Sequence, residues 1–139
     1  MIYALDTNVI SDFLQGEGNV EANFKSIIIE SNGTNHYAIP YLVYYELKCW
    51  LNHEPDEEKI EHGKTFDRLF AIVENRASIT PAVWKKAAEI FIELKNKGRK
   101  AGSMDIIIAA FCLVNNYTLV SNNVRDFRNI DGLKFTNWF

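Results

Sequence analysis

This chain of 139 residues is poor in several features, and each shortage narrows what it can be. It has only two cysteines, Cys49 and Cys112, both set in strongly apolar helical patterns. Without metal-ligand spacing around them, they argue against a zinc site and for buried free thiols in a reducing, cytoplasmic compartment. The longest apolar runs, such as Ile106 to Val114, fall far short of the roughly 20 residues a bilayer span needs. No basic leader precedes Asp6, so no signal peptide is expected. Low-complexity tracts, internal repeats and linkers are missing, and no Ser-His or Cys-His pairing offers a covalent nucleophile. The three histidines, His36, His53 and His62, stand in surface-like contexts and are assigned no role.

A hydrophobic content of 47% is enough for one compact domain with its own core, spanning 1–139. Ile2 to Leu5 reads as a buried first strand, followed by a helix over Thr7 to Leu14 with Val9, Ile10, Phe13 and Leu14 on one face. A second helix is expected from Val20 to Glu30, then a strand over Tyr37 to Ile39. Pro40 opens a helix over Tyr41 to Asn52, and the acidic stretch from Glu54 opens another, running to about Val73. Ala77 to Ile79 reads as a brief strand. Thr80-Pro81 caps a long helix ending near Gly98.

Ser103 reads as the cap of the next helix, through Asn115, which is apolar nearly all round and therefore central. Thr118 to Ser121 and Leu133 to Phe135 are the last strands, with a loop or short helix between them. Strands alternating with helices, without hairpin signals, predict an α/β domain with a central parallel sheet flanked by helices.

The net charge of −3 disfavours a nucleic-acid partner only if the charge is spread evenly. It is not. Lys95, Lys97, Arg99 and Lys100 form one basic cluster, and Arg125, Arg128 and Lys134 another. Such runs serve either as solvated helix ends or as phosphate contacts.

The informative residues are acids standing where apolar side chains are expected. Asp6 ends the first strand, at the kind of edge where parallel sheets bind ligands, although it could simply cap the next helix. Glu46 lies within the apolar part of its helix, where a partly buried carboxylate needs a partner. Asp105 occupies the first turn of the central helix, which its dipole also favours. Asp126 follows the strand Thr118 to Ser121. A parallel sheet brings these segments to one edge, and crowded carboxylates repel unless protonated or bridged by cations. With no His or Cys among them, hard oxygen-ligated ions such as Mg²⁺ or Mn²⁺ suit the set.

Leu5-Asp6-Thr7-Asn8-Val9-Ile10-Ser11 resembles the opening motif of PIN-domain ribonucleases of the VapC toxin type. Tyr44-Tyr45-Glu46-Leu47 is similar to that family's helical glutamate motif, and Asp105-Ile106-Ile107-Ile108-Ala109-Ala110 to its Asp-x-x-Ile-Ala-Ala motif. Val120 to Phe127, with Gly132-Leu133 and Trp138 beyond, resembles its C-terminal block. The resemblance implies a single PIN-like domain that binds Mg²⁺, with Mn²⁺ able to substitute, and cleaves RNA. It also implies a toxin held inactive by a cognate VapB-like antitoxin, and a homodimer. Asp6 and Asp105 would be the principal metal ligands, Glu46 would complete the shell, and Asp126 would be the fourth acid. Many relatives carry an acid where this chain has Asn123. Thr7, Asn8, Ser103 and Asn123 are candidates for orienting ligands or substrate.

The chemistry so implied is in-line attack of an activated water on phosphorus. Arg125, Arg99 and Lys100 are candidates for holding the RNA backbone, with single-stranded or loop RNA the expected substrate. Two alternatives stand beside it. A haloacid dehalogenase-type phosphatase also places Asp at the end of its first strand, but needs a second Asp where this chain has Asn8. A catalytically silent PIN module would act only as a partner in an antitoxin-repressor complex.

Overall fold

Segments of two to four residues, too short for core helices, form the strands. They are β1 (Ile2–Leu5), β2 (His36–Ala38), β3 (Thr118–Val120) and β4 (Phe135–Thr136), paired in parallel in the order β2-β1-β3-β4. The computed structural model describes residues 1–16, 22, 36–72 and 78–138. The helix expected from Val20 to Glu30 lies outside the described residues, except for Ala22, as do Val73 and Ala77.

Helices carry the chain between strands: α1 (Thr7–Gln15), α2 (Tyr41–Asn52), α3 (Asp56–Ile72), α4 (Pro81–Asn96), α5 (Ser103–Asn115) and the single turn α6 (Val124–Phe127). α1 starts at Asp6, whose carboxylate accepts from the Thr7 amide, and stops at Gly16 in the left-handed conformation, φ +68°. Thr80 caps α4 by accepting from the Val83 amide, and Pro81 takes the first helical position, as its missing N–H allows. α5 ends on Asn116, also left-handed, whose N–H and that of Tyr117 tie off the last carbonyls.

The core joins sheet and helices through Leu5, Val43, Leu47, Phe66, Ile108, Phe111, Leu119 and Phe127, all essentially without solvent exposure. Ile106, Ile108, Ala109, Ala110, Phe111 and Cys112 of α5 are buried, which bears out its central place. α5 packs along α4, while α1, α2 and α3 pack on one another. Tyr44 sits against Phe66 and Phe70, with ring centroids 5.6 and 4.8 Å away, so it belongs to the core. Tyr41 and Tyr45 on the same helix remain largely exposed.

Several expectations need correction. Ser78 and Ile79 are not in a strand, and the last strand is Phe135–Thr136 rather than Leu133 to Phe135, because Leu133 still belongs to the turn bonded to Ile130. Ser103 is the first helical residue of α5, not its cap; Gly102 takes that place without a side-chain bond. Cys112 is buried, but Cys49 is exposed, since the apolar stripe of α2 turns inward at Leu47 and Leu51 instead. His62 is not a free surface residue: its Nδ1 lies 2.5 Å from Glu54 Oε2, and its ring stacks on Trp50.

The strand order carries the functional consequence. From β1 the chain goes to β2 on one side and returns to β3 on the other. The crevice beyond the C-terminal ends of β1 and β3 is therefore a topological switch point, where open α/β sheets bind their ligands. This arrangement depends on α5 filling the space beside the sheet. Truncating fully buried Phe111 to Ala is expected to cost about 3–5 kcal/mol through lost burial and a residual cavity. Urea unfolding of wild type and variant measures this.

Candidate functional site

Leu5 pairs with Val120 in the β1–β3 register, so the next residue along each strand, Asp6 and Ser121, emerge side by side at the switch point. They are the buried polar residues among those described, with Asp6 only 4% exposed. The Asp6 amide continues the ladder by donating to Val120 O at 3.0 Å, and the Ser121 amide donates to Thr136 O at 3.1 Å. Backbone pairing thus fixes both residues before any side chain is considered.

A carboxylate so deeply buried must be hydrogen-bonded, and Asp6 is. Thr7 N donates to Oδ1 at 2.8 Å, while Ser121 Oγ and Asn8 Nδ2 donate to Oδ2 at 2.7 and 3.0 Å. Asn8 Oδ1 in turn accepts from the Asn122 amide, tying the start of α1 to the loop after β3. Burial still pushes the Asp6 carboxyl above its ordinary range, with the bonds from Ser121, Thr7 and Asn8 pulling the other way.

Three more carboxylates converge on this edge. α2 begins two residues after β2 and brings Glu46 inward, where Thr7 Oγ1 donates to its Oε1 at 3.2 Å. Burial raises the Glu46 carboxyl, the Thr7 bond lowers it, and the Asp6 charge raises it again. Asp105 stands in the first turn of α5, and Asp126 in α6. Burial, then the charges of Asp6, Asp126 and Glu46, push Asp105 up to about 6, despite its place at a helix start that favours anions. Repulsion from neighbouring carboxylates therefore adds to burial at Glu46 and at Asp105.

Asn123, a candidate for orienting ligands, joins two of the acids. Its Nδ2 donates to Asp105 Oδ2 and to Asp126 Oδ2, each at 3.2 Å, clamping the two acids together. An acid at this position would add charge but could not donate both bonds. Sequence reasoning missed Ser121, although a polar residue ending the apolar run Leu119-Val120 was a usable signal. Ser103 is exposed and joins none of these bonds. Arg125 is exposed on α6 beside Asp126, and Arg99 and Lys100 are exposed between α4 and α5.

The donor set is oxygen only, and Asp105 Oδ1, Asp126 Oδ1 and Glu46 Oε2 have no hydrogen-bond donor among the described residues. Such oxygens fit a hard divalent cation. Among the described residues, no three acid, His or Cys side chains are yet drawn close enough to hold an ion together. Side-chain rotation around the crevice is thus part of any such binding.

The chain matches the model of the PIN domain over residues 3–133 and belongs to that family. It is 28% identical to ribonuclease VapC2 of Rickettsia felis, over 99% of this chain and 98% of that protein. Ribonuclease VapC1 of Haemophilus influenzae (strain R2866) is 26% identical, with the same coverage. The fold superposes with a TM-score of 0.85 on a chain of VapBC2 from Rickettsia felis bound to a DNA fragment from their promoter, 26% identical and covering all of both chains.

The raised carboxyls have a measurable consequence without metal. In EDTA, folded Asp105 holds its proton up to about 6, whereas the unfolded chain releases it near 3.8. Folding is therefore opposed increasingly as pH rises through that window, and the opposition is complete above it. Asp105→Asn should melt progressively higher than wild type across this interval, with the gap constant above about 6. Melting curves in EDTA at a series of pH values check this; a gap independent of pH would contradict it.

Proposed function

We propose that this protein is an RNA-cleaving hydrolase, the toxin of a type II toxin-antitoxin pair, acting through a divalent cation held by Asp6, Glu46, Asp105 and Asp126. The observation that carries the reading is the convergence of these four acids on the switch point, where burial raises Asp6, Glu46 and Asp105 and neighbouring negative charge adds to it for Glu46 and Asp105. Membership of the PIN family and the likeness to ribonucleases VapC2 and VapC1 support it. Mg²⁺ is the proposed ion, with Mn²⁺ as substitute.

When bound, such an ion lowers the pKa of a water and screens the charge that builds on the phosphate. The chain's own residues do the rest. Ser121, Asn8 and Thr7 hold Asp6 in one orientation through its hydrogen bonds. Thr7 also steadies Glu46, and Asn123 sets the separation of Asp105 from Asp126. Arg125, exposed beside the acids, is placed to meet a backbone phosphate of the substrate. The proposed substrate is single-stranded or loop RNA, whose splayed strand reaches a crevice that a duplex does not enter.

The proposed protein partners are a VapB-like antitoxin and a second copy of the chain. Exposed Tyr41 and Tyr45 on α2 and Trp84 and Ile92 on α4 offer apolar surface for them.

The test is cleavage of a mixed RNA pool by the purified protein, free of antitoxin, with Mg²⁺ or Mn²⁺. Wild type should cut, EDTA should abolish cutting, and Asp6→Asn should reduce it by roughly 100-fold or more. Equal cutting by both proteins, or activity that persists in excess EDTA, would defeat the proposal.

A further inference from the structure

A cavity of about 400 Å³ opens where the end of α4 meets the start of α5. Its volume lies in the range of small-molecule sites, roughly 300–1,000 Å³. Buried Leu94 and Ile106 line it together with Phe91, which remains 56% exposed. Three cations also line it, Lys95, Arg99 and Lys100, all exposed at their side chains. Among the described residues, none of the ion pairs uses these three, whereas neighbouring Lys97 is already paired with Asp131 at 3.0 Å.

An apolar wall beside unneutralised cations fits an occupant with a flat apolar body and an adjoining anion. The cavity also borders the start of α5, the helix that carries Asp105. Ile106 follows Asp105 directly, and a Cβ placed on Gly102 would meet Asp105 Oδ2 at 3.4 Å. The segment from Gly102 to Asp105 thus lies in the chain between two lining residues, Ala101 and Ile106.

We propose that this cavity is a nucleotide subsite, in which Phe91, Leu94 and Ile106 receive one base of an RNA strand while Lys95, Arg99 and Lys100 take its neighbouring phosphates. The proposal rests on the RNA-cleaving reading and specifies where the strand lies next to the cleavage point. A base stacks on Phe91 whatever its identity, because every base has a π-face, so this contact selects for an unpaired strand more than for sequence. The cations contribute a term that weakens with salt. An acidic, aromatic peptide shares this chemistry, but three cations without ion-pair partners among the described residues suit the repeating phosphates of a strand, and the lining residue Ile106 adjoins Asp105 in the chain.

The experiment measures binding of a short single-stranded RNA to the full chain in EDTA, where cleavage does not interfere. Phe91 is exposed, as are Arg99 and Lys100, so their substitution does not disturb the core. Phe91→Ala should weaken binding about tenfold, and so should the double variant Arg99→Ala/Lys100→Ala, with a shallower salt dependence in the latter only. Abasic RNA of the same length should bind wild type as weakly as intact RNA binds Phe91→Ala. Full affinity in Phe91→Ala, or equal binding of abasic RNA, would overturn the subsite. So would an acidic peptide that fills the cavity while RNA affinity stays unchanged. The nuclease reading is separable: if wild type cuts RNA with Mg²⁺ and the variants bind normally, only the subsite fails. If RNA binds through the cavity yet is never cut, the nuclease reading fails and the subsite stands.

Discussion

Asp6 is a carboxylate buried at the end of the central strand, and the surrounding structure answers to that one costly placement. An ion removed from water in this way is tolerated only with its oxygens occupied. Three donors occupy them, and each comes from a different structural decision. The Thr7 amide is available because α1 starts there, Asn8 because that helix turns back over the strand end, and Ser121 because β3 pairs with β1 in one register. A one-residue slip of β3 would turn Ser121 to the other face and leave Asp6 without its shortest bond. Sheet register and site chemistry are therefore one constraint.

The other acids show why the fold accepts crowding that does not stabilise it. Glu46 and Asp105 are both raised by burial and by neighbouring negative charge, so neither helps hold the protein together. They are carried by elements fixed for other reasons: α2 by Val43, Leu47 and Leu51, and α5 by its almost wholly buried face. Rigid helices whose positions are set by packing can point charges at one another without yielding. This is the arrangement expected where function, not stability, selects the residues.

Much of this was legible in the sequence, for identifiable reasons. α2 begins and ends where the apolar spacing and Pro40 indicate, Thr80-Pro81 marks the start of α4, and the near-continuous apolarity of α5 announces its central place. Asp6, Glu46 and Asp105 stood out as acids in apolar company. What was not legible depended on pairing across the chain. Alternating strands and helices imply a parallel sheet but not that β1 lies between β2 and β3, so Ser121 could not be assigned to Asp6. Asn123 looked like a missing acid, because a sequence shows the loss of charge but not the two carboxylates that its amide joins. β4 is two residues long, too short for any periodicity to set its bounds.

The net negative charge, read alone, misdescribes the molecule. Asp6, Glu46, Asp105 and Asp126 are committed to the crevice, and a second acidic group, Asp56, Glu57 and Glu58, opens α3 at the end of the helix where the dipole favours anions. With those set aside, Lys95, Arg99 and Lys100 line the cavity where α4 meets α5 and have no acidic partner among the described residues, whereas Lys97 pairs with Asp131. A polyanionic strand meets the local field rather than the total, and within a Debye length of roughly 8–10 Å the local field dominates. An acidic protein can thus present a cationic surface as well as a site of carboxylates. Among the described residues those cations form no ion pair with the acids, and burial keeps the Asp6, Glu46 and Asp105 carboxyls raised. An ion pair from Lys100 or Arg99 would favour the charged form of Asp105 and lower the carboxyl that burial and its acidic neighbours raise. Cations and acids that do not pair with one another each remain available for the ligand of opposite charge proposed for them.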